Sequence, residues 1–153
     1  MKKYELTAEF IEQWGKKLFR IKALISFGSV EAGELGGYVE KEDNLAQDGD
    51  AWVYGNARVY GNARVCGNAD YLLIGRIGSR FSFTTFFKNK DKGITVSCGC
   101  FLGTIAEFRA KVTDTHGNNK HAKMYNLAAD MAELQILGEE HFDKLNTNKS
   151  EPF

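Results

Sequence analysis

A mainly β chain closed by an α+β cap follows from three features of the 153 residues. From Val53 to Asp70 a G-N-A phrase returns every six residues, carrying Val53, Val59 and Val65 in step and Ala57, Ala63 and Ala69 with them. Sixteen glycines against one proline provide tight corners at little steric cost. Beyond residue 80, an aromatic run of strand character gives way to two segments of helical period.

The repeat reads as a short strand with an inward Val, a Gly-Asn corner and an inward small Ala. Hexapeptide periodicity of this kind predicts a parallel β-helix, in the left-handed triangular form, with about three repeats to a turn. So few repeats bury an apolar face only against neighbouring coils, and their open edges need caps and further copies. The expected architecture is therefore a short hexapeptide-repeat β-helix with an N-terminal β-hairpin and a C-terminal hairpin plus two helices. Its expected divisions are 1–74 for the N-terminal hairpin and coil, 75–140 for the capping module and 141–153 for a polar tail.

Ahead of the repeat, residues 18–23 alternate as a half-buried strand does, and Gly15-Lys16 turns it out of FIEQW. Glycines 28, 33, 36, 37 and 49 then punctuate short apolar points at Val30, Leu35, Val39 and Leu45. After the repeat, residues 81–87 and 94–101 read as two strands of a hairpin around a polar turn at 88–93. Thr104 with Glu107 forms a capping box for a helix that places Ile105, Phe108 and Val112 on one face and ends at His116-Gly117. A second helix, about 120–137, sets Met124, Leu127, Ala128, Met131 and Leu134 on a core stripe. The final NTNKSEPF is polar and expected to be loose.

Charge excludes one class of partner. Twenty basic and twenty acidic residues cancel, so the basic footprint of a duplex-binding protein is missing. No run approaches the roughly 20 apolar residues of a bilayer span, and MKKYELTAEF lacks the apolar core of a secretory signal. Three cysteines, an odd number without framework spacing, fit a reduced, cytoplasmic protein.

The segment GELGGYVEKEDNLAQDGDAWVYGNARVYGNARV resembles hexapeptide-repeat proteins of bacteria and phages, sometimes labelled polymer-forming. The stretch from IGSRFSF to HAKMY is similar to a C-terminal module appended to such coils in phage and prophage genes. The resemblance implies a β-helical, oligomeric protein of phage or prophage origin, working in the host cytoplasm. It supplies no catalytic residues.

Several sites offer chemistry. Cys98 and Cys100 with His116 and His121 suggest a metal, yet the spacing is no standard zinc finger. In ITVSCGC, Ile94, Val96, Cys98 and Cys100 share a face, which favours buried structural thiols over a ligand set or a Cys/His nucleophile. Neither a metal nor a cofactor is expected. Acyl transfer is disfavoured, because the repeat is too short for an acyl-carrier cleft and contains no histidine. The densest set of polar donors is GRIGSRFSFTTF, where Arg76, Ser79, Arg80, Thr84 and Thr85 are the candidate ligand-binding residues for an anion or nucleotide. Tyr54, Arg58, Tyr60 and Arg64 sit at outward positions of the repeat and are the candidate self-association surface.

The sequence therefore leads to a non-catalytic, phage-type homo-oligomer, dimer or trimer, that antagonises host defence by sequestering a small nucleotide-like signal. A structural scaffold binding a host protein is the alternative, and an acyltransferase-like or Cys-dependent enzyme the third class.

Overall fold

The computed structural model describes residues 2–13 and 15–150, with side chains through 145. Two four-stranded sheets and three helices make an α+β fold. In the first sheet β1 (Tyr4–Gln13), β2 (Lys16–Ala23), β3 (Leu35–Val39) and β4 (Arg58–Val59) lie in sequence order. The second is likewise ordered: β5 (Tyr71–Ile77), β6 (Ser82–Lys88), β7 (Ile94–Cys98) and β8 (Phe101–Thr104), antiparallel throughout. Then come α1 (Ile105–His116), α2 (Lys120–Ala132), a π turn (Glu133–Leu137) and α3 (Glu139–Ser150).

The β-helix expected from the six-residue period does not form; the chain builds two sheets, mostly of antiparallel pairs. The repeat contributes one two-residue strand, β4, parallel to β3, and isolated bridges at Leu45–Val65 and Ala63–Asn89. The cause lies at its edges. The β1–β2 hairpin takes the free edge of β3 in antiparallel register, Phe19 opposite Val39. On the other side the β6–β7 turn docks antiparallel, with Arg64 N–H donating to Lys88 O at 2.9 Å and Lys90 N–H to Asn62 O at 2.9 Å. Edges that a further coil would need are occupied by strands of another kind.

The inward positions of the period are still buried: Val53, Ala57, Val59, Ala63 and Val65 all fill the first core, whereas Ala69 is exposed. Gly55 and Gly61 turn with φ of 56° and 65°, where glycine is favoured. Gly36 and Gly37 let β3 lie against residues 52–57, since a Cβ there would meet the Val53 and Ala57 carbonyl oxygens at 2.6 and 2.8 Å. Asn44, fully buried, donates to the Gly61 and Ala63 carbonyls at 3.2 Å each and ties the first loop to the repeat.

The second sheet is the middle layer. Tyr71 and Phe87 face the first core, while Phe86, Ile94 and Val96 face α1 and α2. That alternation is the period of two expected from strands buried on both sides. The hairpin expected over 81–101 is present as β6 and β7, and the capping box at Thr104 opens α1. Strand β5 runs from Tyr71 to Ile77 across the 74/75 division. Helix α3 occupies residues 146–150 of the segment expected to be loose, and the rest of that segment, 151–153, lies outside the described residues. The apolar stripe assigned to the core on the second helix faces outward, apart from Ala128.

Candidate functional site

A cavity of about 570 Å³ opens where the ends of β6–β8 meet α1 and α2. Its floor is aromatic: Phe108 meets Tyr125 edge-on at 5.6 Å and Phe101 at 5.7 Å between ring centres. Around it stand three basic side chains, Arg80, Lys111 and His116, with the Ser79, Ser82 and Thr115 hydroxyls and the Cys98 and Cys100 thiols. Among the described residues no carboxylate lines it.

Local structure explains each placement. Phe108, Lys111, Val112, Thr115 and His116 follow one another at i, i+3, i+4, i+7 and i+8, so α1 presents them as a single stripe. Ser79 and Arg80 ride on the β5–β6 turn, closed by Phe81 N–H donating to Gly78 O at 3.1 Å. Gly78 has φ of 85°, and a Cβ there would lie 1.8 Å from the Tyr125 hydroxyl. Only glycine lets that hydroxyl sit under the turn. Burial, with the neighbouring Cys98 as a smaller cause, pushes the Tyr125 hydroxyl up to about 12. It therefore stays neutral and able to donate at physiological pH. His116 stacks on Tyr125 at 5.8 Å, with His121 5.5 Å behind.

The five candidate ligand residues are not brought together. Ser79 and Arg80 line this cavity. Thr84 is buried and donates to the Cys98 sulfur at 3.2 Å. Thr85, on the opposite face of β6, accepts the Arg58 N–H at 3.2 Å and lines a second cavity of about 320 Å³. Arg76 donates to Phe81 O at 3.2 Å with its guanidinium over the Phe81 ring, and lines neither space. The strand period separates Thr84 from Thr85, and the turn carries Arg76 away.

The candidate self-association set also changes. Tyr60 is fully buried, not outward: its ring lies 6.2 Å from Phe87, and its hydroxyl is 3.1 Å from Ser97 Oγ. It joins the repeat to the second sheet within one chain. Tyr54, Arg58 and Arg64 are exposed, but Arg58 donates to Gln13 and Arg64 to Asp43. The two thiols part company as well, with Cys98 half-buried and Cys100 exposed rather than both enclosed.

Sequence reasoning missed Lys111, Thr115 and Tyr125 as site residues, and weighed His116 only as a metal ligand or the partner of a cysteine nucleophile. The signal was available in the α1 stripe: Phe108 and Val112 were assigned to the core, and the polar residues one turn along share their face. Among the described residues no group of three or more His, Cys, Asp or Glu side chains is placed to hold a metal ion, and no helix is long and apolar enough to cross a membrane. Compared with known proteins, the chain matches no family model and no curated protein.

Proposed function

We propose that this chain is a non-catalytic binding protein that takes up a small nucleotide-like anion in the cavity between the second sheet and α1–α2. The observation that carries the reading is the meeting of Phe101, Phe108 and Tyr125 with Arg80, Lys111 and His116 around one space of about 570 Å³. Small-molecule sites typically span about 300–1,000 Å³, apolar in the main with a few convergent polar groups. A planar base stacks or packs edge-on against the aromatic floor. Arg80 offers forked donors to a phosphate, and Lys111 adds a point charge. With the sequence resemblance to phage genes, the biological version is sequestration of a nucleotide-like defence signal in the host cytoplasm.

A Cys-dependent enzyme is the competing class, because Cys98, Cys100 and His116 line the same cavity. One set of measurements separates them. Native mass spectrometry of gently purified protein, followed by calorimetry against mono-, di- and cyclic nucleotides, should detect a bound mass of a few hundred daltons, on the order of a nucleotide. Arg80→Ala and Lys111→Ala should each weaken binding at least about tenfold, as loss of a hydrogen bond to a charged group costs about 1.5–3 kcal/mol. Cys98→Ser with Cys100→Ser should leave the ligand bound and unaltered. Absence of any nucleotide binding sinks the proposal; cysteine-dependent turnover of the ligand moves the protein to the enzyme class.

A further inference from the structure

We infer that the ligand of the larger cavity is a dinucleotide, two nucleosides joined through phosphate, whose second half passes round the end of the β5–β8 sheet into the smaller cavity of about 320 Å³. The inference rests on the nucleotide reading proposed above and extends it to a second site.

The two cavities lie on opposite faces of one sheet, as strand alternation requires. Thr84 and Cys98 are paired across β6 and β7, and Cys98 lines the larger space. Thr85 and Ser97, the next pair, line the smaller one. Its other walls come from the end of β1, through Gln13, and from the repeat, through Asn56 and Arg58. Phe83, 38% exposed, adds an aromatic ring. The smaller cavity therefore repeats the chemistry of the larger: a ring, a guanidinium, and neutral polar side chains, with no carboxylate among the described residues.

The spaces meet at Ser82 and Gly99, which line both. Strand β6 begins at Ser82 and β7 ends one residue before Gly99, so the β6–β7 pairing stops there. Gly99 is exposed, has φ of 55° and carries no side chain to close the gap. A guanidinium stands on either side of it. Arg80 Nη1 lies 3.9 Å from where a Cβ on Gly99 would be. From the smaller cavity, Gln13 Nε2 donates to the Gly99 carbonyl at 3.3 Å, and its Oε1 accepts from Arg58 Nη1. Neither arginine makes an ion pair among the described residues. Forked donors without a carboxylate partner suit a phosphate at this junction. With phosphate there, one nucleoside lies over Phe108 and Tyr125 and the other beside Phe83. The Asn56 amide, engaged by no other group among the described residues, offers that second half both a donor and an acceptor. A mononucleotide fills only the first of the two places.

Calorimetry of the full chain against adenosine monophosphate, diadenosine diphosphate and cyclic diadenosine monophosphate, with the guanosine series alongside, provides the test. One of the dinucleotides should bind at least about tenfold more tightly than its mononucleotide, and which one does so distinguishes a pyrophosphate link from a cyclic phosphodiester. Arg58→Ala should lower the ratio of dinucleotide to mononucleotide affinity about tenfold, and Asn56→Ala about two- to tenfold. Both positions are exposed, and a thermal melt matching wild type shows that each variant is folded. Arg80→Ala should weaken both ligands. A dinucleotide that binds no more tightly than the mononucleotide overturns the inference and leaves the proposed function standing. So does a gain that survives both Arg58→Ala and Asn56→Ala. Binding of neither ligand overturns the two together.

Discussion

Gly78 decides more than its size suggests, because the absence of one carbon lets Tyr125 reach beneath the β5–β6 turn and form a wall of the cavity. Gly78→Ala should cost more than about 2 kcal/mol, combining a left-handed backbone with a clash no small shift relieves. Gly33→Ala is the control. Its φ of 93° carries the same backbone penalty, but nothing lies within 4 Å of the added carbon. About 1–2 kcal/mol is expected there. Chemical denaturation of the two variants side by side measures the difference, and equal losses would show that the Tyr125 contact contributes nothing. Tyr60 teaches the converse lesson. Its place in the six-residue period looked outward, yet the second sheet lies over it, and Gln13 and Ser97 satisfy its hydroxyl.

Among the elements, α1 is the one whose start is written most plainly. Thr104 Oγ1 accepts the Glu107 N–H at 3.1 Å, and the Glu107 carboxylate accepts the Thr104 N–H at 2.8 Å. Thr104→Ala should destabilise the fold by about 1 kcal/mol. Hydrogen bonding to the Thr104 backbone N–H, then to its side chain, holds the Glu107 carboxyl below its ordinary value. A lowered value means that this contribution is present above the ordinary carboxylate pKa of about 4.3 and is lost as pH falls through the folded value. Unfolding curves of wild type and Glu107→Gln should therefore differ near neutrality and converge in acid; a difference that persists undiminished in acid would rule the ionised box out. Helix α2 shows why hydrophobic period alone misplaces a face. The largest apolar residues marked one stripe, but the helix packs against α1 and the sheet through Ala122, Ala128, Ala129 and Ala132. Small residues allow close approach, and the bulky stripe is turned out.

The whole molecule is three layers, with the β5–β8 sheet between a glycine-cornered sheet and a helical layer; Tyr60, Tyr71 and Tyr125 stand between layers, and Tyr4 is buried within the first. Tyr4, Tyr60, Tyr71 and Tyr125 all have raised hydroxyl pKa values, burial being the main cause in each. Raised folded values mean that their contribution is complete below about pH 10, the ordinary tyrosine pKa, and is lost as pH rises through the folded values. Alkaline titration should therefore release these tyrosines together with loss of circular dichroism, in one cooperative step. Ultraviolet difference spectra that show them ionising near pH 10 in an intact fold would contradict that layered burial.

The local pattern of the chain was enough to determine the N-terminal hairpin at Gly15-Lys16, the β6–β7 hairpin, the caps of α1 and the burial of Val53, Val59, Val65, Ala57 and Ala63 of the repeat, though not the exposure of Ala69, because these depend on backbone preference and alternation over a few residues. It was also enough to place Ser79 and Arg80 among the ligand candidates. Tertiary structure decided that the repeat joins a sheet and does not coil onward, that Thr84 and Thr85 part to opposite faces, and that Lys111, His116 and Tyr125 converge on Arg80. Those outcomes depend on which strand pairs with an open edge and how closely a helix approaches a sheet. Such long-range competition between surfaces leaves no short-period trace in the order of residues.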